Sequence, residues 1–156
     1  MFKLIRTLVT HCIALALGLA LGIYLLPILI APEAPSDTDV AASSQQAIFS
    51  GEFRKDLPGS DFLHWGDGNF SISKNQVSFM GSLAPGPDYQ LYLTRELALT
   101  EQEFLLIKDQ SAKIGAVLTF DNFILDLPEN INPANFKAII IWCETFGEFI
   151  TAARYQ

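Results

Sequence analysis

The chain has little of what most metal and redox chemistry needs: two cysteines and two histidines in 156 residues. Cys12 lies in an apolar N-terminal run, so Cys143 is the one cysteine of the remainder and no intramolecular disulfide can staple it. A closed structural zinc site needs four Cys or His ligands, and beyond the run only Cys143 and His64 are present. A blue-copper centre needs two His with a Cys and usually a Met; Met80 exists, but a second His does not. There is no Cys-x-x-Cys-His for covalent haem attachment. Also missing are His-Glu-x-x-His, Gly-x-Ser-x-Gly, a phosphate loop and a dinucleotide fingerprint. Asp121 and Asp126 are close enough in sequence to suggest an acid pair, but on a single strand their odd separation puts them on opposite faces. The sequence therefore carries no catalytic motif. What its ligand count leaves is a free thiol, or haem held non-covalently by a thiolate with or without His64.

Basic charge is also scarce. Of ten Lys and Arg, Lys3 and Arg6 precede the apolar run, leaving eight against seventeen Asp and Glu, a net of −9. Nucleic acid is excluded as a partner, because phosphate binding needs clustered Lys and Arg. A basic patch for anionic lipid is absent for the same reason.

Charge is missing altogether from Thr7 to Ala31, roughly 25 residues, enough for a helix to cross a hydrocarbon core. Lys3 and Arg6 lie before it and Glu33, Asp37 and Asp39 after it, so the positive-inside bias predicts a cytoplasmic N-terminus and a periplasmic or extracellular domain. The rival reading is a cleaved signal peptide, whose apolar core is normally about 7–15 residues and ends in small residues. This stretch is longer and is interrupted by Pro27, Pro32 and Pro35, which favours an uncleaved signal anchor over residues 1–31. Ala14, Gly18 and Gly22 repeat every fourth residue, a pattern that lets two membrane helices approach and form a homodimer; small residues are also common in any membrane span. His11 is expected at the cytoplasmic interface.

Residues 32–46 are rich in Pro, Ala and Ser without apolar periodicity and read as a flexible linker spanning about 20 Å. A β domain is expected over residues 47–156. Apolar residues alternate at Phe70 and Ile72, at Val77 and Phe79, at Tyr89, Leu91 and Leu93, and at Phe123, Leu125 and Leu127, which marks strands buried on one face. Ala138 to Trp142 is apolar on both faces and reads as a central strand. Leu57-Pro58-Gly59, Gly66-Asp67-Gly68-Asn69 and Pro85-Gly86-Pro87-Asp88 read as turns, the second as a hairpin and not as a calcium loop, since it lacks the acidic ladder. Thr100 and Glu103 have capping-box spacing for a short helix. The fold class predicted is mostly β, a sandwich or jelly-roll-like domain preceded by a single transmembrane helix.

Cys143 ends the most apolar strand, directly after Trp142, and in a strand these neighbours point to opposite faces. It reads either as a small core residue, as a redox thiol or prosthetic-group ligand, or as half of an intermolecular disulfide. His64, in Phe62-Leu63-His64-Trp65-Gly66, enters a turn and reads as a hydrogen-bonding turn residue or as a ligand.

From Phe49 to Ala153 the order of motifs resembles the DM-thirteen (electron transfer DM-thirteen) domain. The shared pattern is Phe49-Ser50-Gly51-Glu52-Phe53, then His64 before Gly68-Asn69-Phe70-Ser71-Ile72. Gly86-Pro87-Asp88, Tyr92-Leu93 and Leu127-Pro128 follow, and the pattern closes with Trp142-Cys143-Glu144-Thr145-Phe146 and Ala152-Ala153. Thr119-Phe120-Asp121-Asn122 departs from it, where the family usually has a Gly-containing turn. The resemblance implies a β fold similar to the DOMON class of haem- or sugar-binding sandwiches. It also implies a redox role for Cys143, as a thiol or as a ligand to a group such as haem, with a protein redox partner. The competing expectation is a non-enzymatic module that binds a protein or glycan and keeps Cys143 as a buried structural residue.

Overall fold

A computed structural model describes residues 2–156. Helix α1 (Phe2–Ile30) is long and apolar enough to cross a membrane, and none of its residues is buried against the rest of the chain. At about 1.5 Å per residue it exceeds the roughly 30 Å hydrocarbon core, consistent with Pro27 lying near its end. Ala14, Gly18 and Gly22 are exposed along it, with open space beside both glycines.

The expected coil over residues 32–46 is not coil at its centre. Helix α2 (Asp37–Ser44) is opened by a capping box in which Ser36 accepts from the Asp39 N–H and the Asp39 carboxylate accepts from the Ser36 N–H. The helix is only two turns long and holds because it packs. Val40 is buried, and Asn122 Nδ2 donates to Asp37 Oδ1 at 2.7 Å and to the Pro35 carbonyl at 3.3 Å. A helix this short is marginal in water without such tertiary contacts.

Eight strands then form two antiparallel four-stranded sheets. One contains β1 (Phe49–Phe53), β2 (Gly66–Ile72), β3 (Gln76–Leu83) and β6 (Phe123–Asp126), in the order β1-β2-β3-β6. The other contains β4 (Tyr89–Thr94), β5 (Ala112–Val117), β7 (Ala138–Cys143) and β8 (Glu148–Arg154), in the order β5-β4-β7-β8. The predicted mostly β sandwich after a single long apolar helix is what the chain forms. Phe53, Phe70, Phe79 and Phe123 from the first sheet meet Leu91, Leu93, Ile139 and Ile141 from the second in the core between them.

Two differences from expectation have physical causes. The segment Gly66 to Asn69 is not a hairpin turn but the start of β2, and its glycines serve close approach. A Cβ on Gly68, at φ +142°, would lie 2.4 Å from the Met80 carbonyl oxygen and 2.6 Å from the Gly81 Cα. Strand β4 is buried on both faces, not one, because α3 (Glu101–Ile107) covers the outer side of its sheet. Thr100 caps α3 as predicted, accepting from the Glu103 N–H. Phe104 of α3 contacts Tyr92 and Trp142 at centroid distances of 5.2 and 5.0 Å, forming a second, smaller core.

Candidate functional site

All six residues of β7 are buried, and their alternation divides them between two cores. Ile139, Ile141 and Cys143 face the inter-sheet core, whereas Ile140 and Trp142 face α3. Cys143 and Trp142 therefore point to opposite sides, as their adjacency in a strand requires. Trp142 backs the strand against Phe104 and does not share the space in front of Cys143; its Nε1 is buried without a hydrogen-bond partner.

Cys143 is the last residue of its strand, paired with Tyr89 on β4 and Glu148 on β8. The chain turns immediately afterwards through Glu144–Gly147, where Gly147 at φ +68° donates to the Cys143 carbonyl at 2.9 Å. Glu144 N–H is held by the Asp88 carbonyl at 3.0 Å, which ties this turn to the β3–β4 connection. Cys143 is only 2% exposed, and its S–H donates to the Pro87 carbonyl at 3.0 Å. Burial pushes the thiol pKa up, and the Phe146 and Thr145 N–H groups pull against that without cancelling it. At rest Cys143 is a neutral, shielded thiol, which makes it a poor nucleophile.

It is nonetheless not sealed into close packing. A cavity of about 600 Å³ lies beside it, lined on the domain side by Cys143, His64, Leu63, Pro85–Pro87, Tyr89, Phe146, Glu148 and Ile150. Thus the two ligand candidates, far apart in sequence, line one space. Leu17 to Tyr24 of α1 close the other side. Those residues belong to the middle of the segment long enough to span a membrane, where acyl chains would surround them. The domain wall is accordingly the part that defines the site.

His64 is half-buried, and its position is set by Asp61. That carboxylate accepts the Leu63 N–H at 2.7 Å, the His64 N–H at 2.8 Å and contacts His64 Nδ1 at 3.1 Å. Slight burial opposes ionisation of Asp61, but the His64 and backbone contacts outweigh it and hold its carboxyl below the ordinary range. A carboxylate on Nδ1 orients the ring and leaves Nε2 as its other ligating nitrogen. Tyr89 donates its hydroxyl to the Ala84 carbonyl at 2.9 Å, and burial pushes its ionisation well above the normal range, so it is a neutral wall of the cavity.

Behind the strand, Glu144 gathers a polar cluster that residue spacing had not flagged. It accepts from the Tyr92 hydroxyl in a short hydrogen bond and from Lys108 Nζ at 2.5 Å, with Lys113 Nζ at 3.7 Å. Burial tends to raise its carboxyl, but the two lysines and the tyrosine hold it below the usual carboxylate range. Lys108 also sits 5.3 Å from the Trp142 ring centroid, a cation–π distance. A Glu directly following the ligand candidate was the sequence signal, but its partners come from β4, the turn after α3 and β5 and emerge only on folding. Among the described residues no group of three or more His, Cys, Asp or Glu converges in a way that could hold a bare metal ion.

The profile of the family described as Electron transfer DM13 matches residues 53–155, which includes His64, Trp142 and Cys143. The chain belongs to the Electron transfer DM13 family. No curated protein and no solved structure matches it. In this DM13 domain the matched residues include both side chains that line the cavity from opposite parts of the sequence, His64 and Cys143.

Proposed function

We propose that this chain is a membrane-anchored, extracytoplasmic electron-transfer module in which Cys143 is a ligand to a redox-active prosthetic group such as haem, with His64 as a second donor. The observation that carries the reading is that Cys143 and His64 line the same largely apolar cavity, although the topology could have placed them anywhere. The donor set suits the group. A sulfur and an imidazole are both axial haem ligands, and Leu63, Pro85, Pro87, Tyr89, Phe146 and Ile150 supply apolar wall.

The state of the thiol selects between the two redox readings. A free-thiol mechanism depends on the thiolate, which burial disfavours here. Coordination works the other way, because a metal cation deprotonates a thiol outright and its charge offsets the cost of a buried thiolate. The Phe146 and Thr145 N–H groups, which already favour the ionised sulfur, would remain to support it. His64 would be oriented by Asp61, and Trp142 with Phe104 would keep β7 rigid behind the ligand. When bound, the group supplies one-electron chemistry at a potential set by its ligands and burial.

Anchoring through α1, with Lys3 and Arg6 in the cytoplasm, puts the domain on the outer side of the membrane, the side on which a protein redox partner would act. The competing reading, a binding module with a structural cysteine, draws on the Cys143 to Pro87 hydrogen bond. Native mass spectrometry of the full chain in detergent, purified from haem-replete cells, separates them. A bound mass present in the native protein, lost in Cys143→Ser and weakened in His64→Ala, supports the ligand role. The same bare mass for all three sinks it.

A further inference from the structure

Several large apolar side chains outside α1 are exposed, and four of them gather at one end of the sandwich: Phe62, Leu63, Leu118 and Phe146. The strand register places them together. Gly66 pairs with Leu83, Tyr89 pairs with Val117 and Cys143, and Cys143 pairs with Glu148. The loops before β2, between β3 and β4, between β5 and β6, and between β7 and β8 therefore all emerge at this end. They contain Asp56, Asp61, Asp88, Asp121 and Glu144 against Arg54 and Lys55, a net acidic balance, and both cations are already paired, Arg54 with Asp56 and Lys55 with Asp67. Lys74, Arg95, Lys137 and Arg154 flank strand ends at the opposite pole.

The same end receives α1. Pro35 is already fixed to the domain, since its carbonyl accepts from Asn122, and α2 is packed beyond it. The free tether from Ile30 to Pro35 is thus five residue steps, which extend at most about 18 Å. A domain on so short a leash cannot stand off the surface as a 15-residue coil would allow.

We propose that this apolar end docks on the leaflet from which α1 emerges, with Phe62, Leu63, Leu118 and Phe146 inserted at the level where headgroups meet acyl chains. The proposal rests on α1 being a membrane span. Its occupant is lipid because a tether of at most about 18 Å, attached at this end of the domain, keeps it close to the surface from which α1 emerges. Apolar burial supplies the attraction. The acidic loops add none, so uncharged zwitterionic headgroups suit this face better than anionic ones.

The test uses the full chain reconstituted in phosphatidylcholine vesicles, with and without lipids brominated along the acyl chain. Phe62→Trp and Leu118→Trp each add a reporter at the docking end, and Ile48→Trp adds one beside β1 at the opposite pole; emission is read as the difference from the native chain. Insertion by several ångströms predicts that brominated lipid cuts the Phe62→Trp and Leu118→Trp signals at least about twofold while sparing Ile48→Trp. Equal, unquenched signals from all three in a chain that resists alkaline carbonate extraction would overturn docking and leave the anchor standing. A chain released by carbonate would overturn both. Replacing half the lipid by phosphatidylglycerol should reduce the quenching; an increase would contradict the charge argument.

Discussion

Cys143 should be almost inert to thiol reagents in the native protein, and the expected retardation can be worked from two features. The perturbation is an aromatic disulfide reagent added at pH 8 to the full chain carrying Cys12→Ser, with the same chain in guanidinium as the unfolded reference. An ordinary thiol near 9.0 is about one-tenth thiolate at that pH, and burial of Cys143 lowers the fraction further. The larger effect is access. With Cys143 2% exposed and its sulfur hydrogen-bonded to Pro87, reaction waits for the Glu144–Gly147 turn to open. A local opening of about 3 kcal/mol slows reaction by about 150-fold, and the thiolate deficit multiplies that. The native rate should therefore lie at least about 100-fold below the unfolded one, read as thiolate release by absorbance. A native rate within about tenfold of the unfolded one would show an accessible sulfur, and the argument that burial favours ligation over free-thiol chemistry would be wrong.

Other consequences follow from the same geometry. Phe104→Ala should remove the contact that joins α3 to Tyr92 and Trp142 and cost about 3–5 kcal/mol, lowering the thermal midpoint by about 12–20 °C in circular dichroism; a shift of a few degrees would mean α3 is dispensable. Glu144→Gln should cost about 1–2 kcal/mol at neutral pH. Because the folded Glu144 pKa is depressed, its contribution is complete above the ordinary value of 4.5 and is lost as pH falls through the lower folded pKa. Urea midpoints of the native and Gln chains should accordingly converge in acid, and a constant gap down to pH 3 would refute the assignment. Gly68→Ala should destabilise by more than about 1 kcal/mol, since the new Cβ meets the Met80 carbonyl and the backbone is left-handed; unchanged urea stability would contradict the close approach of β2 and β3.

The parts of this molecule that were legible beforehand are those written in local pattern. Ala138 to Trp142 reads as a central strand because it is apolar on both faces, and it lies inside its sheet between β4 and β8. The opposite facing of Trp142 and Cys143 follows from strand geometry alone. Strands β5 and β8 were less visible: Lys113 and Gly115 interrupt the period of one, and small residues weaken the apolar signal of the other. Helix α2 hid in a Ser- and Ala-rich stretch, although Ser36 and Asp39 already had capping-box spacing. Its stability comes from Asn122, a partner that sequence order does not suggest.

The proposed site is present in the sequence as two candidate residues and not as a place. Nothing in the neighbourhood of His64 predicts that its turn will lie across a cavity from the end of β7. That arrangement requires β2 and β4 to start, and β7 to stop, at the same pole of the sandwich. The cluster of Tyr92, Lys108 and Lys113 around Glu144 was invisible for the same reason, because it is assembled from three elements.

The central claim is that Cys143 holds a redox-active group in that cavity, and potentiometric titration followed by absorption spectroscopy tests it most directly. Full chain purified from haem-replete cells should show a Soret band that shifts reversibly in a one-electron wave, and Cys143→Ser should lose both band and wave. A colourless native protein with no redox wave would make the cysteine a core residue and contradict the account.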